Sequence, residues 1–364
     1  MRRTIAVAVV GYGNVGKAVV ATLNNYPDLY PDMRLNGVFT RRPYQVKREV
    51  VHLRIQGLIH GADEIHHSLE KPDVAILCDG ASALFEGRLT HQWIKVCNTV
   101  CSFDNHGEVP RYVTEVNTIA RRAGHIAVTC AGWHPGTLSV EGLLANAFLG
   151  ITPHHFYGIG PKGGLSMGHT QHVKDVPGVA DGVQYTHAKQ EAIDRIMTGE
   201  NPKLLPGDMI WREVFVVLKP GADSAEVKQA IVSMEGYFAP YETKVEFVSQ
   251  EKLDEIRGER GMAHDGMTIV VGETSPGKFA RLIYRCEYDS NPEGTARILL
   301  ACARAGVRLN NQLKPGLHGV LAQWLKPTGY QWKRGYVSGA VTMLDIPPAL
   351  LSQHLRQTLL ERFV

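Results

Sequence analysis

Three glycines at a fixed spacing follow the first apolar segment of the chain. Gly11, Gly13 and Gly16 come directly after the buried-strand pattern of residues 4–10, and an apolar-periodic helix pattern, 17–23, follows them. In this arrangement the first glycine allows a tight turn, the second leaves bare backbone for a pyrophosphate, and the third lets the helix pack on the strand. The segment therefore predicts a dinucleotide-binding turn, and a structural glycine-rich turn is the alternative. Its candidate cofactor contacts are Gly11, Gly13, Asn14, Val15 and Gly16.

The end of the second predicted strand decides which nicotinamide cofactor such a turn holds, because it lies beside the adenosine ribose. Residues 35–40 form this strand and lead into Arg41 and Arg42. A carboxylate at this place accepts from the ribose 2′-hydroxyl of NAD, whereas two guanidiniums and the Thr40 hydroxyl suit a 2′-phosphate. The pattern favours NADP(H), and the alternative is a solvated arginine pair on a surface turn. Cys78, which ends a later strand, is a further candidate cofactor contact.

Two later loops carry side chains that suit chemistry on an amine. Asp104 follows the predicted strand at 99–103, and Trp133 follows the strand at 125–129. In an open α/β sheet the ligand lies beyond the carboxyl ends of the strands. Asp104 there could hold an ammonium or imine nitrogen and take part in proton transfer, while Trp133 could exclude water from hydride transfer. The alternatives are a helix cap or turn role for Asp104 and a core role for Trp133.

A doubly wound sheet is needed to position these loops. Strand and helix patterns alternate up to about residue 128, with strands at 72–78, 99–103 and 125–129 and helices at 89–96 and 109–123. After a glycine-rich passage at 158–168, strands follow at 212–218, 244–249, 267–273 and 281–288, with helices at 224–234 and 293–309. The predicted fold class is α/β: an N-terminal Rossmann domain (1–130), an α+β substrate or dimerisation domain with a mixed sheet (131–290), and a C-terminal segment (291–364) that returns to the first domain.

The composition is that of an enzyme with two cores. The chain has 364 residues, 44% of them hydrophobic and 21% charged, with a formal net charge of +3. Dispersed charge of this size predicts neither nucleic acid nor membrane as a partner. Six scattered cysteines without a CxxC pair predict reduced thiols in a cytoplasmic protein, and sixteen histidines without ligand spacing predict no metal site. Glycines interrupt the apolar start, so it is interpreted as a strand and not as a signal peptide.

Short motifs spread over nearly the whole chain occur together in one order. They are Val10-Gly-Tyr-Gly-Asn-Val-Gly16, Phe39-Thr-Arg-Arg42, Ile76-Leu-Cys78, Phe103-Asp-Asn-His106, Gly132-Trp-x-Pro-Gly136, Gly164-Leu-Ser-x-Gly-His169, Val183-Gln-Tyr-Thr186, Gly261-Met-x-His264, Asp289-Ser-Asn-Pro292 and Asp345-Ile-Pro-Pro348. This order resembles the meso-diaminopimelate dehydrogenases. The resemblance implies a homodimer that performs reversible, NADP-dependent oxidative deamination at the D-configured carbon of meso-2,6-diaminopimelate. The products would be L-2-amino-6-oxopimelate and ammonia.

The same resemblance implies roles for particular residues. Asp104 would hold the amino group at the reacting D-centre, with Trp133 beside it. The distal end of the substrate would be held by Thr186, Arg212 and His264 at the L-carboxylate and by Asn291 at the amino group. These roles are chemically reasonable, because a guanidinium grips a carboxylate in two parallel bonds and an amide oxygen accepts from an ammonium. The alternatives are a surface salt bridge for Arg212 and an exposed turn position for His264.

Several residues depart from the family pattern at positions expected to lie in the substrate pocket. Leu84 stands where the family carries an acid that shares the D-amino group, and Asp79 of the same loop is a candidate to replace it in catalysis. His134 replaces an aspartate, Met167 replaces a common glutamine, and Gln171 replaces a nearby aspartate. The reacting end is therefore less anionic, which leaves open the same chemistry on another D-amino acid, amine or imine.

A further departure is an apparent insertion at about 313–337, which contains Trp324, Tyr330 and Trp332. Tryptophans in a loop usually bury against a surface, so the segment is predicted to be a flap or a subunit contact, with a solvated mobile loop as the alternative. The second alternative for the whole chain is a non-catalytic protein that binds NADP and senses a ligand.

Overall fold

A computed structural model describes residues 4–62, 64, 70–311, 331–333, 336–341 and 343. The chain divides into two compact units, of which the first combines residues 1–137 with 292–364 and the second spans 138–291. The predicted insertion at 313–337, with Trp324 and Tyr330, lies outside the described residues except for two short backbone stretches, and so does the motif at 345–348.

Strands and helices alternate through most of the described chain. The strands are β1 (Ile5–Val10), β2 (Met33–Thr40), β3 (Ile59–Gly61), β4 (Val74–Leu77), β5 (Asn98–Cys101), β6 (Ile126–Val128), β7 (His154–Tyr157), β8 (Gly164–Leu165), β9 (Val179–Ala188), β10 (Ile210–Leu218), β11 (Thr243–Phe247), β12 (His264–Ser275), β13 (Lys278–Tyr288), β14 (Gln331–Lys333) and β15 (Tyr336–Val341). The α-helices are α1 (Asn14–Asn25), α2 (Pro43–Glu49), α3 (Ala81–Phe85), α4 (Leu89–Trp93), α5 (Val109–Ala123), α6 (Thr137–Leu149), α7 (Met167–Lys174), α8 (Gln190–Met197), α9 (Pro206–Met209), α10 (Ser224–Val232), α11 (Gln250–Arg260) and α12 (Asn291–Asn311). Among the described helices, none is long and apolar enough to cross a membrane.

The first unit is built on one sheet, whose described strands follow the order β14-β15-β6-β5-β4-β1-β2-β3. All neighbours are parallel except β14, which is antiparallel to β15. The strand β1 is buried along its whole length, which its continuous apolar run predicts for the centre of a parallel sheet. The Rossmann-type fold expected from the sequence is therefore confirmed.

The helix α12 belongs to the core of this first unit, although the second unit precedes it in the chain. Leu299 and Ala303 of α12 are buried in the same apolar cluster as Val7 and Val19. Polar contacts add to this packing, because Asp32 accepts from Arg304 at 2.8 Å and from Arg308 at 3.0 Å. These three side chains connect α12 to the turn before β2.

The second unit contains two sheets in the part of the chain that the structure describes. One has the order β11-β10-β9-β8 and is mixed, because β10 is parallel to β11 and antiparallel to β9. The other, β13-β12-β7, is antiparallel. The expected mixed sheet is confirmed. The second sheet was not anticipated, because β7 and β9 were not recognised as strands.

Candidate active-site residues

The glycine turn has the backbone geometry that its spacing predicts. Gly11 has a φ of +90°, and a Cβ on Gly16 would lie 2.1 Å from the Gly11 carbonyl oxygen, so only glycine lets α1 pack this closely. A Cβ on Gly13 would meet nothing within 4 Å. The helix α1 begins at Asn14, and no side chain caps it. The turn therefore offers open space and helix N–H groups to an anion.

The end of β2 lies beside this turn and carries the two predicted arginines. Thr40 is buried, and its Oγ1 accepts from the backbone N–H of Arg42 at 3.2 Å. The Arg42 guanidinium reaches the carbonyl oxygen of Tyr12, within the turn, at 3.5 Å. Arg41 is exposed. Because no carboxylate belongs to this strand end, its donors fit the 2′-phosphate of NADP(H), and the turn fits the pyrophosphate.

Asp79 and Cys78 lie against the same turn. A Cβ on Gly11 would lie 3.3 Å from the Asp79 carboxyl carbon, and a Cβ on Gly16 would lie 3.6 Å from Cβ of Cys78. Burial raises the pKa of Asp79, and Arg41, whose guanidinium lies 3.7 Å from the carboxylate, opposes this shift. These contacts connect Asp79 to the cofactor turn. Its role in catalysis stays a prediction.

Leu84 does not occupy the position that the sequence suggested. The short helix α3 turns this side chain into the core, where it is 1% exposed in an apolar cluster with Phe85, Phe103 and Tyr112. An expectation that Leu84 lines the substrate pocket is therefore wrong. The physical reason is that α3 directs its second turn toward the sheet, which the loop-like sequence of 79–84 does not reveal.

Asp104 lies three residues beyond the end of β5. The preceding Phe103 is fully buried and stacks on Tyr112 at a centroid distance of 4.0 Å, which fixes the backbone at this point. Asp104 itself faces solvent, yet the surrounding protein raises the pKa of its carboxyl group by desolvation. The N-cap of α5 is Glu108, so the helix-cap alternative for Asp104 is wrong.

The loop that follows β6 lies next to the loop that follows β5. The backbone N–H of Ala131 donates to the Cys101 carbonyl at 2.9 Å. In this loop Trp133 is buried, and the His134 ring lies 5.0 Å from the His106 ring. Burial lowers the pKa of His106, and the His134 carbonyl, which accepts from it, opposes this shift. The structure thus brings both loops to the carboxyl ends of neighbouring strands.

Arg212 is the most unusual residue of the second unit. It is 5% exposed and, among the described residues, has no carboxylate partner. Its guanidinium donates to Thr186 Oγ1 at 3.3 Å and lies 4.2 Å from the centre of the Tyr241 ring, while its Nε has no partner. Burial lowers its pKa. The alternative of a surface salt bridge for Arg212 is therefore wrong.

His264 and Asn291 lie beside the short strand β8. Gly164 of β8 pairs with Thr186, and a Cβ on Gly164 would lie 2.5 Å from His264 Nδ1. Asn291 donates from Nδ2 to the Leu165 carbonyl at 3.1 Å. Thr186 and Arg212 are thus paired across β9 and β10, while His264 of β12 lies over Gly164, the β8 partner of Thr186, and Asn291 contacts the next residue of β8.

The protonation of His264 follows from its surroundings. It is 8% exposed, so the alternative of an exposed turn position is wrong. Burial lowers its pKa to about 4, and Nδ1 donates to the Asp265 carbonyl at 3.2 Å. The neutral ring therefore presents Nε2 as an acceptor. A carboxylate ligand at Nε2 would require the ring to take up a proton.

Met167 lies apart from this group. It packs against the apolar cluster that contains Leu165, Val183 and Phe215. Since side chains alternate along β9 and β10, Val183 and Phe215 are on the opposite face from Thr186 and Arg212. A contact between Met167 and substrate stays a prediction.

Two residues around Arg212 were not identified from the sequence. Gln184 is fully buried and donates from Nε2 to Thr186 Oγ1 at 3.0 Å. Its position two residues before Thr186 on one strand places it on the same face, which was a usable signal. Tyr241 comes from the segment between α10 and β11, and nothing in the sequence connects it to Arg212.

Comparisons with known proteins agree with these observations. Residues 132–290 match the model of the diaminopimelic acid dehydrogenase C-terminal domain. The chain is 35% identical to the meso-diaminopimelate D-dehydrogenase of Ureibacillus thermosphaericus, over 98% of this chain and 99% of that protein. It is 34% identical to the enzyme of the same name from Lysinibacillus sphaericus, over 96% of this chain and 95% of that protein.

Solved structures give the same result at the level of the fold. A structure described as C. glutamicum DAP dehydrogenase in complex with DAP is 30% identical, with a TM-score of 0.80 over 99% of each chain. An engineered D-amino acid dehydrogenase bound to NADP+ is also 30% identical, with a TM-score of 0.80 over 99% of this chain and 100% of that one. This chain therefore belongs to the meso-diaminopimelate D-dehydrogenase family, oxidoreductases that act on CH–NH2 groups.

Proposed function

We propose that this protein catalyses NADP+-dependent oxidative deamination at the D-configured carbon of meso-2,6-diaminopimelate. In this direction the C–H bond of the amino-bearing carbon gives up a hydride and the resulting imine adds water. The products are L-2-amino-6-oxopimelate, ammonium, NADPH and a proton. The reverse direction is reductive amination of the same oxo acid.

The buried guanidinium of Arg212 is the observation that supports this substrate. Taking a charged group out of water costs several kcal/mol in practice, and an opposite charge with good geometry is needed to offset this cost. No described carboxylate of the chain pairs with Arg212. A substrate with a second carboxylate, distant from the reacting carbon, supplies that anion through two parallel bonds.

Asp104 and Trp133 would serve the reacting end of the substrate. The ionised carboxylate of Asp104 accepts hydrogen bonds from the substrate ammonium and can take the ammonium proton that must leave before the hydride does. Once that proton has passed to solvent, the carboxylate can take a proton from the water that attacks the imine. The indole of Trp133 excludes bulk water from the reacting carbon. When bound, NADP+ supplies the hydride acceptor. The glycine turn would hold its pyrophosphate, and Thr40, Arg41 and Arg42 its 2′-phosphate, which agrees with the NADP+ named for one structural relative.

A second candidate substrate class is supported by the reacting end itself. The His134 and His106 rings stand 5.0 Å apart, and the family resemblance predicts an aspartate at position 134. Fewer negative charges there favour a D-amino acid with a less polar side chain, and one structural relative is described as an engineered D-amino acid dehydrogenase. A non-catalytic sensor has no support, because the relatives named above are dehydrogenases.

The test is reduction of NADP+ followed at 340 nm with the meso, L,L and D,D isomers of diaminopimelate and with simple D-amino acids. We expect turnover of the meso isomer with NADP+ and at least tenfold lower kcat/KM with NAD+. Faster turnover of a D-amino acid that has no second carboxylate would contradict the proposed substrate. Turnover of no amine would contradict the proposed reaction.

We also propose that the protein forms a homodimer through its second unit. The helix α6 exposes Leu143, Leu144 and Phe148 by 55%, 52% and 71%, which is unusual for neighbouring apolar side chains of a monomer. Leu144→Glu combined with Phe148→Glu should convert a dimer to a monomer in light scattering. Val51→Glu, at an exposed valine of the first unit, is the matched control. A wild-type monomer at micromolar concentration would contradict this assembly.

A further inference from the structure

Gln184 is a buried polar side chain for which the proposed reaction has no use. It lies on β9 with no exposed surface, and its Nε2 donates to Thr186 Oγ1 at 3.0 Å. Its backbone is fixed on both sides, since its N–H donates to Thr170 Oγ1 at 3.0 Å and its carbonyl accepts from the Ser166 N–H at 3.4 Å. The amide oxygen Oε1 has no partner among the described residues.

The orientation of this amide follows from counting donors and acceptors. As it stands, the Gln184 amide leaves its oxygen and one of its two N–H hydrogens without a partner among the described residues. The flipped amide would accept from the Thr186 hydroxyl and leave both N–H hydrogens unmet, and a buried N–H without a partner is rarer in proteins than a buried carbonyl oxygen without one. The orientation in which Nε2 donates is therefore the favoured one.

This orientation decides what the Thr186 hydroxyl can do. A hydroxyl oxygen has two lone pairs, and Thr186 Oγ1 accepts from Gln184 Nε2 at 3.0 Å and from Arg212 Nη1 at 3.3 Å. Both acceptor positions are then occupied. The hydroxyl hydrogen must point away from both donors, so Thr186 can only donate to a further group.

We propose that Gln184 is a positioning residue that keeps Thr186 in the role of hydrogen-bond donor. Thr186 and Arg212 then present donors alone to the substrate, and such a surface accepts a carboxylate and rejects an ammonium or amide N–H at the same place. This inference rests on the proposed function, because it assigns the anion at Arg212 to the distal carboxylate of the substrate.

The variants are Gln184→Leu, which removes the donor at nearly constant volume, and Gln184→Glu, which supplies an acceptor for the hydroxyl and a competing carboxylate for Arg212. Gln190→Leu, at an exposed glutamine that contacts Asp194, is the matched control. With saturating NADP+, we expect Gln184→Leu to raise KM for meso-diaminopimelate about tenfold with kcat within twofold, and Gln184→Glu to raise it further. The control should change neither parameter.

A double-mutant cycle with Thr186→Val separates positioning from a general loss of structure. If Gln184 acts through the Thr186 hydroxyl, Gln184→Leu has no further effect on KM in the Thr186→Val background. An equal rise of KM in both backgrounds, or an unchanged KM in Gln184→Leu, would overturn the proposal.

The wild-type assay tests the proposed function separately. If wild-type protein does not turn over meso-diaminopimelate, the proposed substrate fails, and the same cycle is measured by calorimetric binding of pimelate, a dicarboxylate without amines. Weaker pimelate binding in Gln184→Leu that disappears in the Thr186→Val background supports the role of Gln184. Equal pimelate affinity in all variants, or no binding by the wild type, overturns it.

Discussion

At the scale of single residues, Arg212 is placed for a ligand and not for the stability of the fold. A buried charge without an opposite charge beside it is destabilising, and replacing it by an apolar side chain of similar length often stabilises a protein. We therefore expect Arg212→Met to raise KM for meso-diaminopimelate by about 100-fold or more, as loss of a buried ion pair would do, while the melting temperature stays equal or rises. Calorimetry and steady-state kinetics on one preparation check both. A much lower melting temperature would assign Arg212 to the fold.

The raised pKa of Asp104 predicts how kcat/KM depends on pH on the acid side. Desolvation raises the pKa of its carboxyl group above its ordinary value, and only the ionised form can hold an ammonium. The value of kcat/KM should therefore fall as the pH drops through this raised pKa. Asp104→Asn keeps the shape of the side chain but cannot titrate, so it should lower kcat/KM about 100-fold or more and remove that limb of the profile. An unchanged limb in Asp104→Asn would assign it to another group.

The lowered pKa of His264 predicts how the free energy of unfolding depends on pH. Its pKa is about 4 in the folded protein against an ordinary value of 6.5, so the unfolded chain binds more protons between these values. Stability is complete above about pH 6.5 and is lost progressively as the pH falls toward 4, by roughly 3 kcal/mol at most. His264→Gln cannot titrate and should flatten the dependence of the unfolding free energy on pH in urea titrations at pH 7 and pH 5. Parallel slopes for both proteins would contradict this.

At the scale of elements, the turn between β1 and α1 contains one glycine that serves cofactor binding, Gly13, and another that serves packing of the fold, Gly16. A Cβ on Gly13 meets nothing within 4 Å, whereas a Cβ on Gly16 would lie 2.1 Å from the Gly11 carbonyl oxygen. Gly13→Ala should therefore leave the melting temperature of the free protein unchanged and raise KM for NADP+ at least tenfold, because the methyl group takes the place of phosphate. Gly16→Ala should lower the melting temperature by several degrees. The reverse pattern would contradict the assignment of the turn.

The sequence predicted helices and strands well where the pattern of apolar residues matches the faces that are buried. The strands β1, β2, β4, β5 and β6 and the helix α5 were predicted within a few residues, because buried parallel strands are continuous apolar runs and α5 is strongly amphipathic. The helix α3 was missed because five residues do not complete an amphipathic period, and α6 because apolar residues occur on several of its sides. As a result, the sequence could not show that Leu84 points into the core.

For the candidate site too, some residues were identified from the sequence and others needed the structure. Arg212 and Thr186 were identified through the family resemblance, yet their cross-strand pairing and the burial of Arg212 depend on a strand pair whose register the sequence does not show. Tyr241, under the Arg212 guanidinium, depends on tertiary packing alone. The resemblance thus identified which residues carry chemistry, and the structure was needed to show that Arg212 is buried without a carboxylate partner among the described residues.

At the scale of the whole molecule, the first unit is closed by a helix from the far end of the chain. Asp32 accepts from Arg304 and Arg308 of α12, and both arginines are buried. Asp32→Asn removes the negative charge that faces these two buried cations and should lower the free energy of unfolding by about 3 kcal/mol. Asp28→Asn, at an exposed position in the segment that precedes this turn, is the control. Equal stability of the two variants in urea would show that apolar packing alone holds α12.

The discontinuity of the first unit also sets an order of events during synthesis. A ribosome must produce residues 1–137 and then the whole of 138–291 before α12 emerges, so the apolar surface that α12 covers on the first unit stays open throughout that interval. The continuous second unit can complete its own sheets first. The unit that begins the chain is therefore the last to be finished, and nascent chains stalled before residue 292 should be the ones that chaperones hold.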